Sequence, residues 1–524
     1  MDAATPQPTV AAAPAITPLK IKALRVCDFR AFAGPLPVAI ELGGKNLLVY
    51  GENGTGKSSL FHALDEFFSV ELADAAARQD QLANLRNKFS GLGSADGHIE
   101  VELDDGKPAA RWDHTRHPAD VTAPGADHRI VNGAYRKAIL DYRALLDTNY
   151  RHGTGEVNLF DICVRVLLRD YPVLHNGQQE RMFDLWRELE AYLVRVQLRA
   201  REITEINALA VSFNQGLREA LDLLRPQVDA LLAELGWDDV KLTALRTPGV
   251  TYNNAKLKSD RAFDGRSVTP QLTFRTFATQ TPQTFLNEAR LSALALAIYF
   301  AGRQVCAATL QADTPRLMVL DDVLIGLDQS NRLPVLHLLG KHFADWQVIL
   351  LTYDRVWFEM ARFHLADRKD WDTLELFEET EPTGASRPVM RPQNVDPVVG
   401  NIAAARQFYK DHQYPAAAVH ARVAFEQSLK RLCDRKAIAV RFHSDQRKTS
   451  TEDLLSAIAT WLKTAKGAAV KAEVDPWIFK IKMFRSVVLN PFAHSTPINL
   501  AAAEVAGAID AVEALHAAFK DHVK

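Results

Sequence analysis

The sequence predicts an α/β fold in which a mixed sheet carries a glycine-rich loop beside an antiparallel β subdomain, with a short helical arm and an all-α C-terminal domain. Two apolar strands end in polar motifs, one near residue 50 and one near residue 321. Around the second motif, strand patterns alternate with helical patterns, which indicates a parallel layer. After residue 398 the pattern is Ala-rich and helical.

The glycine-rich loop, residues 50–59 (Y-G-E-N-G-T-G-K-S-S), fits G-x-x-x-x-G-K-[ST]. An apolar strand precedes it and a helix follows, which is the context that a phosphate-binding P-loop requires. Backbone N–H groups at a helix N-terminus favour a phosphate chain. Lys57 would reach the β- and γ-phosphates as a catalytic residue, and Ser58 would hold Mg²⁺. The predicted nucleotide contacts in this loop are Asn53, Gly54, Gly56, Lys57, Ser58 and Ser59.

The second apolar strand, residues 316–320, ends in Asp321 and Asp322. In a parallel sheet the carboxyl ends of the strands open onto the ligand. We therefore predict that Asp321 binds Mg²⁺ and that Asp322 is catalytic, because phosphoryl transfer needs a residue that orients or deprotonates the attacking water.

Composition is ordinary for a globular protein, with 47% hydrophobic and 24% charged residues. The four cysteines form no C-x-x-C pair, which favours a reducing cytoplasm over a disulfide framework or a zinc site. No apolar run is long enough to span a bilayer, and residues 1–18 suggest a disordered leader rather than a signal peptide.

Residues 401–524 contain 18 Lys and Arg against 12 Asp and Glu, so this part carries a net charge of +6 and the remainder a net charge of −8. The basic part is where nucleic acid, if bound, would dock.

The α/β domain that contains the P-loop, here called the head, is predicted in two halves, of which the N-terminal half is residues 19–175. Residues 19–26 alternate apolar and polar, residues 37–40 form a short strand, and residues 98–103 lead through Asp-Asp-Gly into a hairpin. Residues 134–146 are predicted to be helical.

Residues 176–240 are predicted as the helical arm. Apolar residues recur there at steps of three and four, first along residues 182–196 and then along residues 203–235. This pattern fits an antiparallel hairpin, with Pro226 kinking its second helix, and it fits two ordinary core helices about equally well.

Residues 241–378 form the C-terminal half of the head, with strands before and after a strongly apolar helix at residues 288–301. The proline-rich residues 379–398 are predicted to be a linker. Residues 399–524 form the helical domain, with helices near 402–411, 415–435, 451–463, 476–489 and 500–522.

In this order, the motifs of the first ~380 residues resemble the SMC, RecF and OLD-like branch of the ABC-type ATPases. The matches are Phe29-Arg30, the P-loop, the helical interruption, Leu320-Asp321-Asp322 and Gly326-Leu327-Asp328. The resemblance implies ATP and Mg²⁺ as ligands and adds Arg30 to the nucleotide-binding residues. It also implies a head-to-head dimer or higher oligomer, in which the signature segment with Asn287 and Glu288 meets the other head's ATP.

Several positions depart from the family pattern. Asn287 replaces a serine, Ala289 a glycine, Asp322 the longer glutamate, and Tyr353 a histidine. The glutamine that ligates Mg²⁺ in the family is not evident, and Asp141-Tyr142, near its expected place, is given no role. We therefore expect a slow ATPase.

The segment from Arg485 to His494 resembles the Arg…His motif of HEPN-like domains, many of which are RNases. There His shuttles a proton and Arg clamps a phosphate. Here the spacing is longer, so a helix-capping His494 and a surface-paired Arg485 are the alternative reading.

Together these features resemble bacterial anti-phage ATPases. They favour an ATPase that regulates a nucleic-acid-directed effector, either its own C-terminal domain or a partner nuclease or toxin, with no membrane involved. The alternatives are a RecF-like DNA-repair ATPase and an ATP-gated HEPN-type RNase.

Overall fold

The computed structural model describes residues 18–69, 82–90, 97–121, 124–147, 155–195, 197–255, 258–307, 314–380, 386–392, 396–441, 450–484 and 501–522. The chain forms two compact units, Met1–Pro392 and Gln393–Lys524. The predicted leader lies almost wholly outside the described residues.

The strands of the first unit, in chain order, are β1 (Ile21–Cys27), β2 (Val38–Glu41), β3 (Asn46–Gly51), β4 (His98–Leu103), β5 (Ala110–Asp113), β6 (Ala138–Asp141), β7 (Pro172–His175), β8 (Gln178–Arg181), β9 (Val240–Arg246), β10 (Thr251–Asn253), β11 (Ala262–Asp264), β12 (Thr269–Phe274), β13 (Phe277–Thr279), β14 (Leu317–Asp321), β15 (Gln347–Thr352), β16 (Trp371–Thr380) and β17 (Ser386–Pro392). Its helices are α1 (Lys57–Phe67), α2 (His128–Arg136), α3 (Tyr142–Asp147), α4 (Met182–Leu193), α5 (Ala200–Glu234), α6 (Glu288–Ala307), α7 (Gln329–His342) and α8 (Arg355–Leu365). A short turn of helix, Phe160–Ile162, continues as a π-helical turn, Cys163–Leu167.

The central sheet has six strands in the order β17-β16-β3-β15-β14-β6. All are parallel except β17, which pairs antiparallel with β16. Because successive side chains of a strand point to opposite faces, each strand contributes side chains to two hydrophobic cores, one on each face of the sheet. Leu48, Leu320 and Leu350 pack with the helical side, and Val49, Val319 and Ile349 pack with the other side. The sheet is therefore covered on both faces, as expected for parallel strands.

The predicted antiparallel β subdomain is a four-stranded sheet in the order β2-β1-β4-β5. Its inward residues share one core with α1, α2 and one face of the central sheet. The predicted hairpin is present, with Ile99 opposite Trp112.

The prediction of a continuous helix at residues 134–146 is wrong in the middle of this range. Helix α2 ends at Arg136, β6 follows, and α3 begins at Tyr142. Strand β6 pairs parallel with β14, so tertiary pairing overrides a helical pattern in a four-residue segment.

Of the two interpretations of residues 176–240, an arm or core helices, the packing of α4 and α5 agrees with core helices. Helix α4 packs on α5, but the buried residues of both, from Met182 to Leu232, belong to the same core as the central sheet. Helix α5 also packs against α6, β7 and β9. Helices α4 and α5 are therefore core helices of the first unit, because their apolar stripes face other elements of that unit.

The proline-rich segment predicted as a linker contains strand β17. Its Pro388 and Pro392 lie opposite Glu378 and Leu374 of β16. Proline is tolerated there because β17 is an edge strand, where half of the N–H groups take no part in the sheet.

The second unit is all-helical: α9 (Pro397–Lys410), α10 (Tyr414–Arg435), α11 (Thr451–Trp461), α12 (Ala465–Phe484) and α13 (Ala502–His522). These helices share one apolar core that includes Ala405, Leu429, Ile458, Val474 and Leu515. Helix α12 begins eleven residues before its predicted start and contains Pro476. Among the described residues of both units, no helix is long and apolar enough to cross a membrane.

Candidate nucleotide-binding site

The P-loop joins β3 to α1 at the carboxyl end of the central sheet. Gly54 and Gly56 have φ angles of 93° and 100°, a region that side chains other than hydrogen disfavour. A Cβ atom on Gly56 would also lie 2.7 Å from Cγ of Pro388 in β17. The loop therefore needs glycine at position 56 for its backbone conformation and for its packing. Asn53 lies exposed at the tip of the loop.

The ammonium group of Lys57 lies inside the loop. Its Nζ donates hydrogen bonds to the carbonyl oxygens of Gly51 at 2.6 Å and Glu52 at 3.1 Å. Burial lowers the pKa of Lys57, and the nearby carboxylates of Asp322 and Asp321 oppose that change. The lysine is thus held beside the phosphate cradle by contacts that a phosphate oxygen can replace.

Ser58 and Asp321, predicted to share a metal ion, are brought together. The Ser58 hydroxyl donates to Oδ2 of Asp321 at 3.2 Å, although 263 positions separate the two residues. The other oxygen of Asp321, Oδ1, is buried with no hydrogen-bond partner among the described residues. A buried carboxylate oxygen without a partner is costly unless a cation or donor meets it. The pair therefore fits Mg²⁺, which in phosphate sites needs only one or two protein ligands.

The electrostatics of Asp321 agree with this fit. Burial, reinforced by the neighbouring Asp322, raises the pKa of Asp321 from 3.8 to about 6. A bound cation favours the ionised form of a carboxylate. The negative charge of the site is therefore costly without a cation, and a bound cation would remove that cost.

Asp322 is the first residue after β14 and has a φ angle of 53°, in the left-handed region. Its Oδ1 accepts a hydrogen bond from the backbone N–H of Tyr353 at 2.9 Å. Burial raises the pKa of Asp322, with the Tyr353 bond and Lys57 opposing. This strained, tethered carboxylate is more basic than an exposed aspartate, as a general base requires.

Asp141 is a functional candidate to which sequence reasoning assigned no role. It ends β6 in direct register with Asp321 of β14, so the two carboxylates lie on neighbouring strands at the same edge. Its charge also raises the pKa of Asp321. The sequence does indicate this residue: the apolar run Ala138-Ile139-Leu140 ends in an aspartate, as the apolar strand before Asp321 does.

Arg30 lies in a turn with a φ angle of 49° that packs against α1. The N–H of Ala31 in this turn donates to the Ser59 hydroxyl at 3.2 Å. Burial lowers the pKa of His62 on α1, and the charge of Arg30 lowers it further, which places Arg30 near the first turns of that helix. The predicted nucleotide residue Arg30 therefore lies in a turn that contacts Ser59 of the P-loop.

Asn287 and Glu288 lie elsewhere, at the start of α6. The Asn287 side chain accepts from the N–H of Arg290 at 3.0 Å and caps the helix, as the sequence predicts. Among the described residues, no hydrogen bond or ion pair joins Asn287 or Glu288 to the P-loop. The loop that contains Gly326 packs closely on the same helix, since a Cβ at Gly326 would lie 2.1 Å from the Ser292 hydroxyl and 3.8 Å from Cγ of Glu288.

Arg332 of α7 joins the loops that follow β14 and β15. Its guanidinium donates to the carbonyl of Leu327 at 2.8 Å and to the carboxylate of Asp354 at 2.5 Å. Asp354 in turn caps α8 through the N–H of Trp357. This bridge connects the two loops on either side of the Asp322–Tyr353 hydrogen bond. The two remaining candidates, Arg485 and His494, lie outside the described residues.

No protein-family model and no curated protein matches the sequence. Three solved structures similar to this chain are SMC heads. A crystal structure of the SmcHead bound to the C-winged helix domain of ScpA is 14% identical, with a TM-score of 0.35 over 71% of this chain and 98% of the other. The Smc head domain from Pyrococcus furiosus, with an extended coiled coil and bound to the C-terminal domain of ScpA, is 14% identical, with a TM-score of 0.36 over 75% and 100%. The SMC head domain from Thermotoga maritima is 12% identical, with a TM-score of 0.33 over 72% and 100%.

These identities and TM-scores do not establish membership of a family.

Proposed function

We propose that the protein binds Mg²⁺·ATP at the P-loop and hydrolyses it slowly. The observation that carries this proposal is the meeting of Ser58 and Asp321 beside Lys57 at the carboxyl ends of β3 and β14. A glycine-rich loop alone would indicate phosphate binding; the buried carboxylate opposite its serine adds a metal site.

Each residue has a role that follows from its position. The backbone N–H groups of the loop cradle the phosphates, and Lys57 exchanges its two carbonyl partners for phosphate oxygens. Ser58 and Asp321 hold Mg²⁺, which neutralises charge on the phosphates when it is bound. Asp322, held by the Tyr353 N–H, orients the attacking water and accepts its proton. Because aspartate is one methylene shorter than glutamate, its reach to that water is reduced and turnover is slow.

The signature segment acts on a second copy of the chain. Asn287 and Glu288 open a helix that does not touch the P-loop of its own chain through any hydrogen bond or ion pair in the described part. A head-to-head dimer would place them on the partner's nucleotide, as the resemblance to SMC-like heads implies. ATP binding then closes the dimer, and hydrolysis opens it.

The closed dimer controls a nucleic-acid-directed effector in anti-phage defence, either the C-terminal helical unit or a partner nuclease. The net charge of +6 on residues 401–524 favours the helical unit as the part that meets nucleic acid. A DNA-repair role in the RecF manner and an ATP-gated RNase that uses Arg485 and His494 are the competing schemes.

The first test is ATP binding, followed with a fluorescent ATP analogue and Mg²⁺. Lys57→Ala should weaken binding by roughly 100-fold or more, because hydrogen bonds to charged groups contribute about 1.5–3 kcal/mol each and Lys57 makes several. Lys45→Ala is the matched control, since Lys45 is an exposed lysine paired with Asp372. Equal affinity in both variants would refute the proposed site.

The second test separates the effector schemes, using RNA and DNA cleavage assays with and without ATP. Cleavage that is lost in His494→Ala while ATP turnover persists would assign nuclease activity to the C-terminal unit. ATP turnover without cleavage would place the effector on a partner. ATP-dependent binding of DNA without cleavage would favour the DNA-repair scheme.

A further inference from the structure

Helix α12 of the second unit has two apolar faces. Its inner face is buried in the core of this unit through Val470, Val474 and Ile481. A second set of apolar residues recurs at steps of three and four on the opposite side of the helix, where every member is exposed: Ala468, Ala472, Pro476, Phe479 and Met483. These five residues are called the outer stripe. A surface helix normally presents polar residues to solvent, so the outer stripe is a feature that packing within the unit does not explain.

The two largest side chains of the outer stripe are widely exposed. Phe479 is 69% exposed and Met483 is 62% exposed, whereas the other exposed large apolar side chains that the structure describes in the second unit, Val399 and Val419, are each 44% exposed. Single exposed apolar residues are common on protein surfaces, but a contiguous apolar surface indicates an interaction site. The outer stripe extends over about four turns of the helix, which is enough to pack against another helix.

Charged residues flank the outer stripe on both sides. At about 100° of rotation per residue, Asp475 and Lys482 lie on one flank, and Glu473 and Lys480 lie on the other. All four are exposed, and the ion pairs that the structure describes in the second unit do not involve Asp475, Lys480 or Lys482. Each flank therefore has one acid, followed two turns later by one lysine.

We propose that the outer stripe is a contact between two copies of this chain, in which the two α12 helices pack antiparallel about a two-fold axis. In such an interface the same surface of each copy meets itself. When Phe479 of one copy lies opposite Pro476 of the other, Met483 lies opposite Ala472. Each large side chain then meets a small one, as close packing between helices requires. The outer stripe is therefore complementary to itself in shape.

The charges on the flanks select the antiparallel orientation. On one flank Asp475 of each copy meets Lys482 of the other, and on the second flank Glu473 meets Lys480. In the register that places Phe479 opposite Pro476, the paired charges are offset by two residues, or about 3 Å along the axis, which a lysine side chain can span. A parallel pair would place acid beside acid and lysine beside lysine, which is unfavourable. The outer stripe and its flanks are thus complementary to themselves in charge as well.

Nucleic acid fits this surface less well. Phe479 offers a ring on which a base can stack, and Lys480 and Lys482 offer charges for phosphates. However, Glu473 and Asp475 lie on the same two flanks and would repel a polyanion. The two acids balance the two lysines, so the surface matches one that carries both signs of charge. The contact needs no nucleotide, and the inference does not depend on the proposed ATPase activity.

The test is sedimentation equilibrium of the full chain in EDTA without nucleotide, so that closure of the heads by ATP does not contribute. One pair of helices buries less than the roughly 1,200–2,000 Å² of a stable interface, so we expect a reversible dimer with a Kd of roughly 1–100 μM. Phe479→Ala should weaken this dimer at least roughly ten-fold, because the ring is buried once in each copy. Phe89→Ala is the matched control, since Phe89 has the same 69% exposure but lies in the first unit.

Two charge variants show whether α12 of one copy meets α12 of the other. Lys482→Glu gives a flank with two acids, and Asp475→Lys gives the same flank two lysines, so each variant alone should dimerise roughly ten-fold more weakly than the wild type. An equimolar mixture of the two variants should regain the affinity of the wild type, because the acidic flank of one then meets the basic flank of the other. The substituted side chains are exposed, so the variants should fold, and a melting curve checks this.

Three results would overturn the inference: a wild type that stays monomeric at about 100 μM, equal Kd values in the Phe479→Ala and Phe89→Ala proteins, or a mixture of the charge variants that associates no more tightly than its components. A monomer whose Tm falls on substitution of Phe479 would instead assign the outer stripe to a cover from the same chain. A monomer that binds single-stranded DNA or RNA, and loses that binding in Phe479→Ala, would assign it to nucleic acid.

Discussion

Replacing Asp321 by asparagine should stabilise the metal-free protein while it disables the metal site. The pKa of the Asp321 carboxyl is raised from 3.8 to about 6 by burial and by Asp322. A carboxyl whose pKa is raised on folding contributes stability while it is protonated and loses that contribution as the pH rises through its folded pKa. Asparagine has a similar shape and cannot ionise, so it keeps the contribution at every pH.

The magnitude follows from linkage between protonation and folding. A shift of about two pKa units at about 1.36 kcal/mol per unit gives an upper estimate of about 3 kcal/mol near pH 8. Near pH 5 only about half of this difference should remain, because the loss builds up between the ordinary pKa of 3.8 and the folded pKa of about 6, and pH 5 lies about midway. Asp321→Asn should therefore exceed the wild type in free energy of unfolding, and by more at the higher pH.

The assay is urea unfolding of both proteins in EDTA without nucleotide, near pH 5 and near pH 8. Asp367→Asn, in an exposed turn, is the control and should change little at either pH. In a separate melt, Mg²⁺·ATP should raise the Tm of the wild type and leave that of Asp321→Asn unchanged. A variant that is no more stable than the wild type at the higher pH would refute the argument that Asp321 is a buried, uncompensated charge.

Three further predictions test the site and the fold. Asp322→Asn should retain ATP binding and lower kcat by roughly 100-fold or more, the usual contribution of a positioned base; unchanged turnover would remove Asp322 from the catalytic residues. Arg332→Ala should lower kcat roughly ten-fold with little change in the Kd for ATP, because it breaks the charge-assisted bridge between the loops beside Asp322. Arg368→Ala, which breaks an ion pair with Asp370, is the control. An equal effect of both substitutions on kcat would contradict a specific role of Arg332. Gly216→Ala should destabilise the protein by about 1–3 kcal/mol, because its Cβ would lie 2.5 Å from Val173. Val173→Ala removes that clash but also deletes buried methyl groups, so it should cost less stability in the Gly216→Ala protein than in the wild type. No loss of stability in Gly216→Ala would contradict the packing of α5 on β7.

Local patterns predicted the elements that carry the site. The P-loop and the strand ending in Asp321 could be read from sequence because a buried parallel strand is a continuous apolar run and its polar ending stands out. The hairpin around Asp104-Asp105-Gly106 could also be predicted, since Asp-Gly between two strand patterns is typical of a hairpin turn.

Properties that depend on distant neighbours could not be read in the same way. Strand β6 has only four residues, and its identity depends on pairing with β14, so Asp141 was overlooked. The apolar stripes of α4 and α5 fit a projecting hairpin as well as a buried one, because periodicity shows which face is apolar but not what covers it. The hydrogen bonds of Arg332 to two separate loops could not be predicted, because no local sequence pattern indicates them.

The prolines of β17 have a consequence for how copies of this chain can associate. An unprotected sheet edge offers a row of free N–H and C=O groups to a strand of another molecule. Pro388 and Pro392 have the same parity in the register with β16, and proline has no N–H, so both occupy positions whose N–H would point outward. That border of the central sheet therefore lacks two of its outward donors and is a poor template for an added strand. Two copies of this chain are therefore poorly suited to strand addition at the β17 border, and any association there has to use side chains instead of backbone groups.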